Sequence, residues 1–310
     1  MSGADSLGPV TASLPREAPF GRVLTAMVTP FDADGELDLV AAATVATDLV
    51  NLGCDGLVVS GTTGESATTS DDEKSALLAA VLEAVGDRAR VVAGVGTNDT
   101  RHTVHLAALA ERAGAHGALV VTPYYSKPSQ EGLLAHFTAV ADATGLPLMV
   151  YDIPGRAGVA IATDTLLKLA EHPRIVANKD AKGDVWAAQQ VMHRSDLLYY
   201  SGDDALNLPL MAVGAVGVVS VTGHLVADRL VAMVDALLSG DTARAADIND
   251  SLVPVTEGVM GRAPGLVMVK AALDLLGRAG GGTVRLPLVS ASEQQRSVLR
   301  DDLRAGGFDL

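Results

Sequence analysis

Residues 56–94 read GLVVSGTTGESATTSDDEKSALLAAVLEAVGDRARVVAG. The stretch opens on a short run, 56–60, that is apolar at successive positions and so has no polar face. A strand of that kind is buried on both sides, as parallel strands are. A glycine-flanked turn follows, and then Ser70-Asp71-Asp72-Glu73, the spacing of a helix-opening capping box. Leu77, Leu78, Val81, Leu82 and Val85 recur at helical spacing behind it, and residues 91–94 begin a second apolar run. Strand, helix, strand in this order is a parallel crossover unit.

The same unit repeats in both directions. Apolar runs fall at 23–28, 56–60, 91–94, 118–122, 148–151, 175–179, 197–200 and 217–221. Between them lie amphipathic segments. One carries Ala42, Val45, Leu49 and Leu52 on one face and ends at Gly53; others span 99–114 and 129–145. Eight such units predict an α/β fold, a closed (β/α)8 TIM barrel. From residue 241 the alternation stops. Three helical stretches, 241–252, 265–276 and 292–305, predict a C-terminal three-helix appendage packed directly on the barrel. Residues 1–20 have no helical periodicity, no basic start and no apolar core, which predicts a flexible tail rather than a signal peptide. The expected organisation is a tail at 1–20, a catalytic barrel at 21–240 and a helical region at 241–310.

Composition narrows the partners. The 310 residues are 48% hydrophobic and 19% charged, enough apolar material for a large core, and only 3% are aromatic. A net charge of −14 repels a phosphate backbone, which argues against nucleic acid. The apolar runs fall short of the ~20 residues that span a bilayer, so no membrane association is expected. The single cysteine, Cys54, precludes an intrachain disulfide and is expected to be a small buried hydrophobe. A cytoplasmic location follows as an expectation.

Barrel enzymes carry their chemistry at the C-terminal ends of the strands. After the second run comes Gly61-Thr62-Thr63-Gly64-Glu65, whose hydroxyls and backbone N–H groups suit a carboxylate, or simply an ordinary loop. After the fourth come Tyr124 and Tyr125 between Pro123 and Pro128, a functional pair or a rigid packed loop. The fifth ends in Tyr151, placed to move protons, with Arg156 five residues on, either a fork for a carboxylate or a surface charge. The sixth ends Ile175-Val176-Ala177-Asn178-Lys179-Asp180. Strict alternation puts Ile175, Ala177 and Lys179 on one face. If that face is the interior, Lys179 is a desolvated amine, and desolvation favours the neutral form that attacks a ketone. The alternative points Lys179 outward at the rim. Lys182, its nearest rival, is expected in a solvated loop. After the seventh run Asp203 and Asp204 read as a helix cap before a metal pair. No dinucleotide fingerprint, Walker sequence, HExxH or CxxC is present, and His102 and His105 have no evident third ligand.

Taken together and in this order, these strand-end motifs resemble the dihydrodipicolinate synthase and N-acetylneuraminate lyase superfamily of class I aldolases, over everything from about residue 21 onward. Its synthase branch is the better match, because Arg156 stands where sugar-acid lyases generally lack an arginine. The resemblance implies pyruvate and aspartate semialdehyde as substrates, no metal or organic cofactor, and a covalent imine between pyruvate and Lys179. It implies proton transfer by Tyr151, Thr62 and Tyr125, with Tyr125 reaching into a neighbouring subunit's site. Thr63 would hold the pyruvate carboxylate and Arg156 that of the semialdehyde. Main-chain groups at Gly202 and Val219 would lie against the lysine. A homotetramer built as a dimer of dimers is implied too. Members inhibited by lysine carry histidine and glutamate at an allosteric site whose counterparts are Asp71, Lys74 and His102, beside Ser66, Asn98 and Tyr124; with no acid at 102, feedback inhibition is expected to be weak or absent. Ala177 and Asn178 depart from the family's glycine and aliphatic residue, and Asn178 requires a hydrogen-bond partner in the barrel–helix interface. Two other readings remain: a pyruvate aldolase or hydratase with a different acceptor, and a silent barrel that binds a keto acid.

Overall fold

The computed structural model describes residues 16–310; residues 1–15, most of the expected tail, lie outside it. Eight parallel strands close into a barrel in sequence order. They are β1 (Val23–Ala26), β2 (Gly56–Val59), β3 (Arg90–Gly94), β4 (Gly117–Val121), β5 (Leu148–Asp152), β6 (Ile175–Asp180), β7 (Leu198–Ser201) and β8 (Gly217–Ser220). β1 pairs with β8 through Leu24 and Val219 to complete the ring. Each expected run contains its strand to within two residues at either end. The helix after β2, Asp71–Val85, opens on the capping box read from the sequence: Ser70 accepts from the backbone of Glu73, and the Glu73 side chain accepts from that of Ser70.

Two apolar layers follow from strand alternation. The inner one fills the barrel with Leu24, Val58, Val92, Leu119, Met149 and Tyr200. The outer one lies between strands and helices and includes Leu57, Val59, Val91, Val120 and Val150. Phe20 closes the N-terminal end of the barrel and is fully buried, so the last residue of the expected tail is part of the core. It packs so tightly that a Cβ on Gly117, the first residue of β4, would sit 2.3 Å from the ring.

One parity argument fails. Ile175 belongs to the outer layer, not the interior. Leu148 of β5 is opposite Ile175, yet its neighbour Met149 is opposite Ala177, so β6 carries one extra residue, Val176. This bulge resets the alternation and turns Ala177, and after it Lys179, inward.

The C-terminal helices are Thr242–Ser251, Gly265–Leu275 and Glu293–Ala305, as expected. A further short helix, Val253–Thr256, runs into a π-helical turn at Glu257–Gly261. Pro254, Gly258 and Gly261 remove the sequence signal for it. Cys54 is buried; its thiol is pushed up to about 11 by desolvation, leaving it unreactive. Among the described residues no helix is long and apolar enough to cross a membrane.

Candidate active site

Strand register brings the central residues together. Lys179 of β6 lies between Tyr151 of β5 and Tyr200 of β7. Its Nζ is 4.1 Å from the centroid of the Tyr151 ring. The lysine is only 5% exposed. Burial pulls its amine down to about 7; the positive charge of Arg156 lowers it further and Asp204 opposes. At that value about half of the amine is neutral at pH 7, against about one part in a thousand for an ordinary lysine near physiological pH. Gly202 is what leaves room for this side chain. A Cβ there would sit 2.9 Å from both Cγ and Cε of Lys179.

Tyr151 is buried, and desolvation pushes its phenol up to about 12, so it is a neutral hydrogen-bond donor at physiological pH. The charge of Arg156 and the neighbouring Thr62 side chain both act on it in the opposite direction. The strand end is held by Thr122, whose hydroxyl donates to the Tyr151 carbonyl at 2.9 Å. Thr63 is buried beside Thr62, whereas Arg156 is exposed on the short helix Pro154–Ala157. Val219 is part of the inner apolar layer.

Tyr125 stands apart from this group. It is 89% exposed and held at φ 75°, in the left-handed region. Ser60, Glu65 and Lys127 are the other non-glycine residues with positive φ among the described residues. All four sit in the loops after β2 and β4. Such strain collects where a site is over-determined by its surroundings.

Lys182 is placed differently from expectation, whereas Asn178 lies in the barrel–helix interface as expected. Lys182 is not solvated: its side chain is 15% exposed and its Nζ lies 3.6 Å from the buried carboxylate of Asp152. It donates toward the Ile161 carbonyl, on the outer side of the barrel. Asn178 is fully buried opposite Val150 and Tyr199, both outer-layer residues. It therefore points away from Lys179. The Tyr199 hydroxyl lies beside it, but neither amide atom makes a well-formed hydrogen bond.

Asp204 has a larger role than the cap read from the sequence. Asp203 is the cap, accepting from the Ala205 N–H. The buried Asp204 carboxylate accepts from the N–H groups of Val221 and Thr222, from Asn207 and from the Ser220 hydroxyl. It clamps the end of β8 and supplies the negative charge that acts on Lys179. Two adjacent acids gave no signal to tell cap from clamp.

A buried amine that is readily neutral, a neutral phenol beside it and an arginine at the rim can make and break an imine while holding an anion. Residues 19–306 match the model of the dihydrodipicolinate synthetase family. The chain belongs to that family. It is 63% identical over 299 residues to the 4-hydroxy-tetrahydrodipicolinate synthase of Acidothermus cellulolyticus, covering 96% of each chain. Among solved structures it is similar to the synthase of Cyanidioschyzon merolae with lysine bound, at TM-score 0.90 and 40% identity, covering 94% of this chain and 99% of that one. It is also similar to a dihydrodipicolinate synthase variant described as monomeric, at TM-score 0.89 and 37% identity, covering 93% and 97%.

Proposed function

We propose that Lys179 is the nucleophile with which this enzyme condenses pyruvate and L-aspartate 4-semialdehyde to 4-hydroxy-tetrahydrodipicolinate, on the route to diaminopimelate and lysine. The observation that carries this is the buried amine drawn to about 7, against the Tyr151 ring.

The neutral Nζ of Lys179 attacks the ketone carbon of pyruvate. Water leaves and an imine forms. Protonated, it draws electrons from the methyl group, which loses a proton to give an enamine. The enamine carbon bonds to the aldehyde carbon of the semialdehyde, whose oxygen takes a proton. The semialdehyde amine then attacks the imine carbon, closes the ring and expels the Lys179 amine. Tyr151 moves protons in these steps with Thr62 as its partner. Thr63 holds the pyruvate carboxylate, Arg156 that of the semialdehyde, and main-chain groups at Gly202 and Val219 line the lysine. The imine supplies the electron sink, so the reaction draws on no metal or organic cofactor. In this reading the enzyme works in the cytoplasm.

Tyr125 completes the relay from a neighbouring subunit. Its 89% exposure and its held left-handed backbone support that role, since a strained, outward tyrosine serves no packing purpose within its own chain. The assembly is a tetramer, a dimer of dimers. Asn178 lies on the face opposite the lysine side chain and gives the reading as a silent barrel no support. The test is the condensation rate of the purified protein beside Lys179→Ala. A rate that collapses in the variant supports the assignment. A variant as fast as the parent would sink it.

A further inference from the structure

The loop that carries Thr62 and Thr63 ends at Glu65, which is buried and held at φ 53°. Its Oε1 accepts from Lys270 Nζ at 2.5 Å, across 205 residues of sequence. Its Oε2 accepts from the Arg285 backbone N–H at 2.9 Å. Lys270, on the helix Gly265–Leu275, is fully buried and also donates to the Thr283 carbonyl at 2.7 Å. The Arg285 guanidinium binds the carbonyls of Gly35 and Thr68 and the carboxylate of Glu73. Both cations lie over the Phe31 ring, Lys270 at 4.5 Å and Arg285 at 4.1 Å. Thr29 also anchors the loop, its hydroxyl donating to the Gly64 carbonyl at 2.6 Å.

From this geometry we infer that Glu65 and Lys270 are positioning residues for the reaction. The C-terminal helical region, through one buried ion pair, sets where Thr62 and Thr63 sit relative to Tyr151 and Lys179. A buried charge stripped of its partner is expelled or neutralised rather than tolerated, and Glu65 is three residues from Thr62. Losing Lys270 therefore displaces the loop, and misplacement of about an ångström at a reacting group is costly. Arg156, on the helix Pro154–Ala157, has no hydrogen bond to this network among the described residues and stays in place. The inference rests on the assignment of Thr62 and Thr63 to proton transfer and pyruvate binding.

The experiment compares wild type with Lys270→Met, Glu65→Gln and the double variant Glu65→Gln/Lys270→Met. For each, kcat/KM for pyruvate is normalised to Lys179 trappable by borohydride at saturating pyruvate, and thermal unfolding is recorded. The expected result is a fall in kcat/KM for pyruvate of about tenfold or more in Lys270→Met. The double variant, with no orphan charge, should regain most of the lost melting temperature yet keep the kinetic defect. A purely structural pair would give a double variant whose normalised kcat/KM returns with its stability, and that outcome overturns the proposal. So does a normalised value within twofold of wild type in every variant. If Lys270→Met fails to fold, Glu65→Gln and the double variant carry the same comparison. An inactive wild type in the same assay instead refutes the reaction assigned to the site.

Discussion

Replacing Lys179 by methionine should stabilise the protein at neutral pH by an amount that shrinks as pH rises. The folded barrel holds the amine at about 7, while an unfolded chain holds it near the ordinary lysine value of 10.5. Between those values the unfolded chain binds a proton that the folded chain does not. Wild-type stability therefore rises with pH across that window and is level with respect to this group below it. Each pH unit is worth about 1.4 kcal/mol when the two states differ by a full proton. The burden relative to a neutral residue is then about 4 kcal/mol at pH 7 and about 2 kcal/mol at pH 9. Methionine fills a similar volume and does not titrate. The contrast between the two proteins isolates Lys179, because the remaining titrations are common to both. Urea unfolding at fixed protein concentration, at pH 7 and pH 9, reads it directly. The advantage of Lys179→Met over wild type should fall by about 2 kcal/mol across that interval. An advantage that stays constant to within about 0.5 kcal/mol would mean that the lysine is hydrated and that its low pKa is wrong.

Tyr151→Phe keeps the packed ring and removes the proton donor, so kcat should drop by roughly 10²–10⁴; a steady-state rate close to wild type would take the phenol out of the mechanism. Asn178→Val replaces two buried amide atoms without well-formed hydrogen bonds by apolar surface and should raise stability by about 1–2 kcal/mol in urea unfolding, whereas a loss of stability would show that the Tyr199 hydroxyl already satisfies the amide. Lysine should inhibit weakly or not at all, because the Asp71 carboxylate is engaged by His102 at 3.0 Å and Lys74 is bonded to the Thr69 carbonyl; half-inhibition at submillimolar lysine in a rate titration would contradict this.

Much of the fold is written in local pattern. Fully buried parallel strands must be apolar on both faces, so runs such as 56–60 announce themselves, and Ser70 with Glu73 marks a helix start from four adjacent residues. The candidate site was legible in part, because barrel chemistry sits at strand ends and Tyr151 and Lys179 lie at the ends of theirs. What was not legible depends on contacts the chain makes with itself at a distance. The bulge at Val176 changes the parity of β6 without any residue type that advertises it, so Ile175 faces the helices although Lys179 faces inward. Lys182 looks solvated in a loop until Asp152 folds next to it. The π-helical turn at Glu257–Gly261 has two glycines and no capping signal. The pairing of Glu65 with Lys270 joins positions too far apart for any spacing rule to connect.

The most direct test of the central claim is chemical. The protein is incubated with pyruvate, reduced with borohydride, digested, and each lysine-containing peptide is weighed by mass spectrometry. The reduced three-carbon adduct should appear on Lys179 alone, in proportion to lost activity, and should be absent from Lys179→Ala. An unmodified Lys179, or an adduct carried by Lys182, would contradict the assignment of the nucleophile.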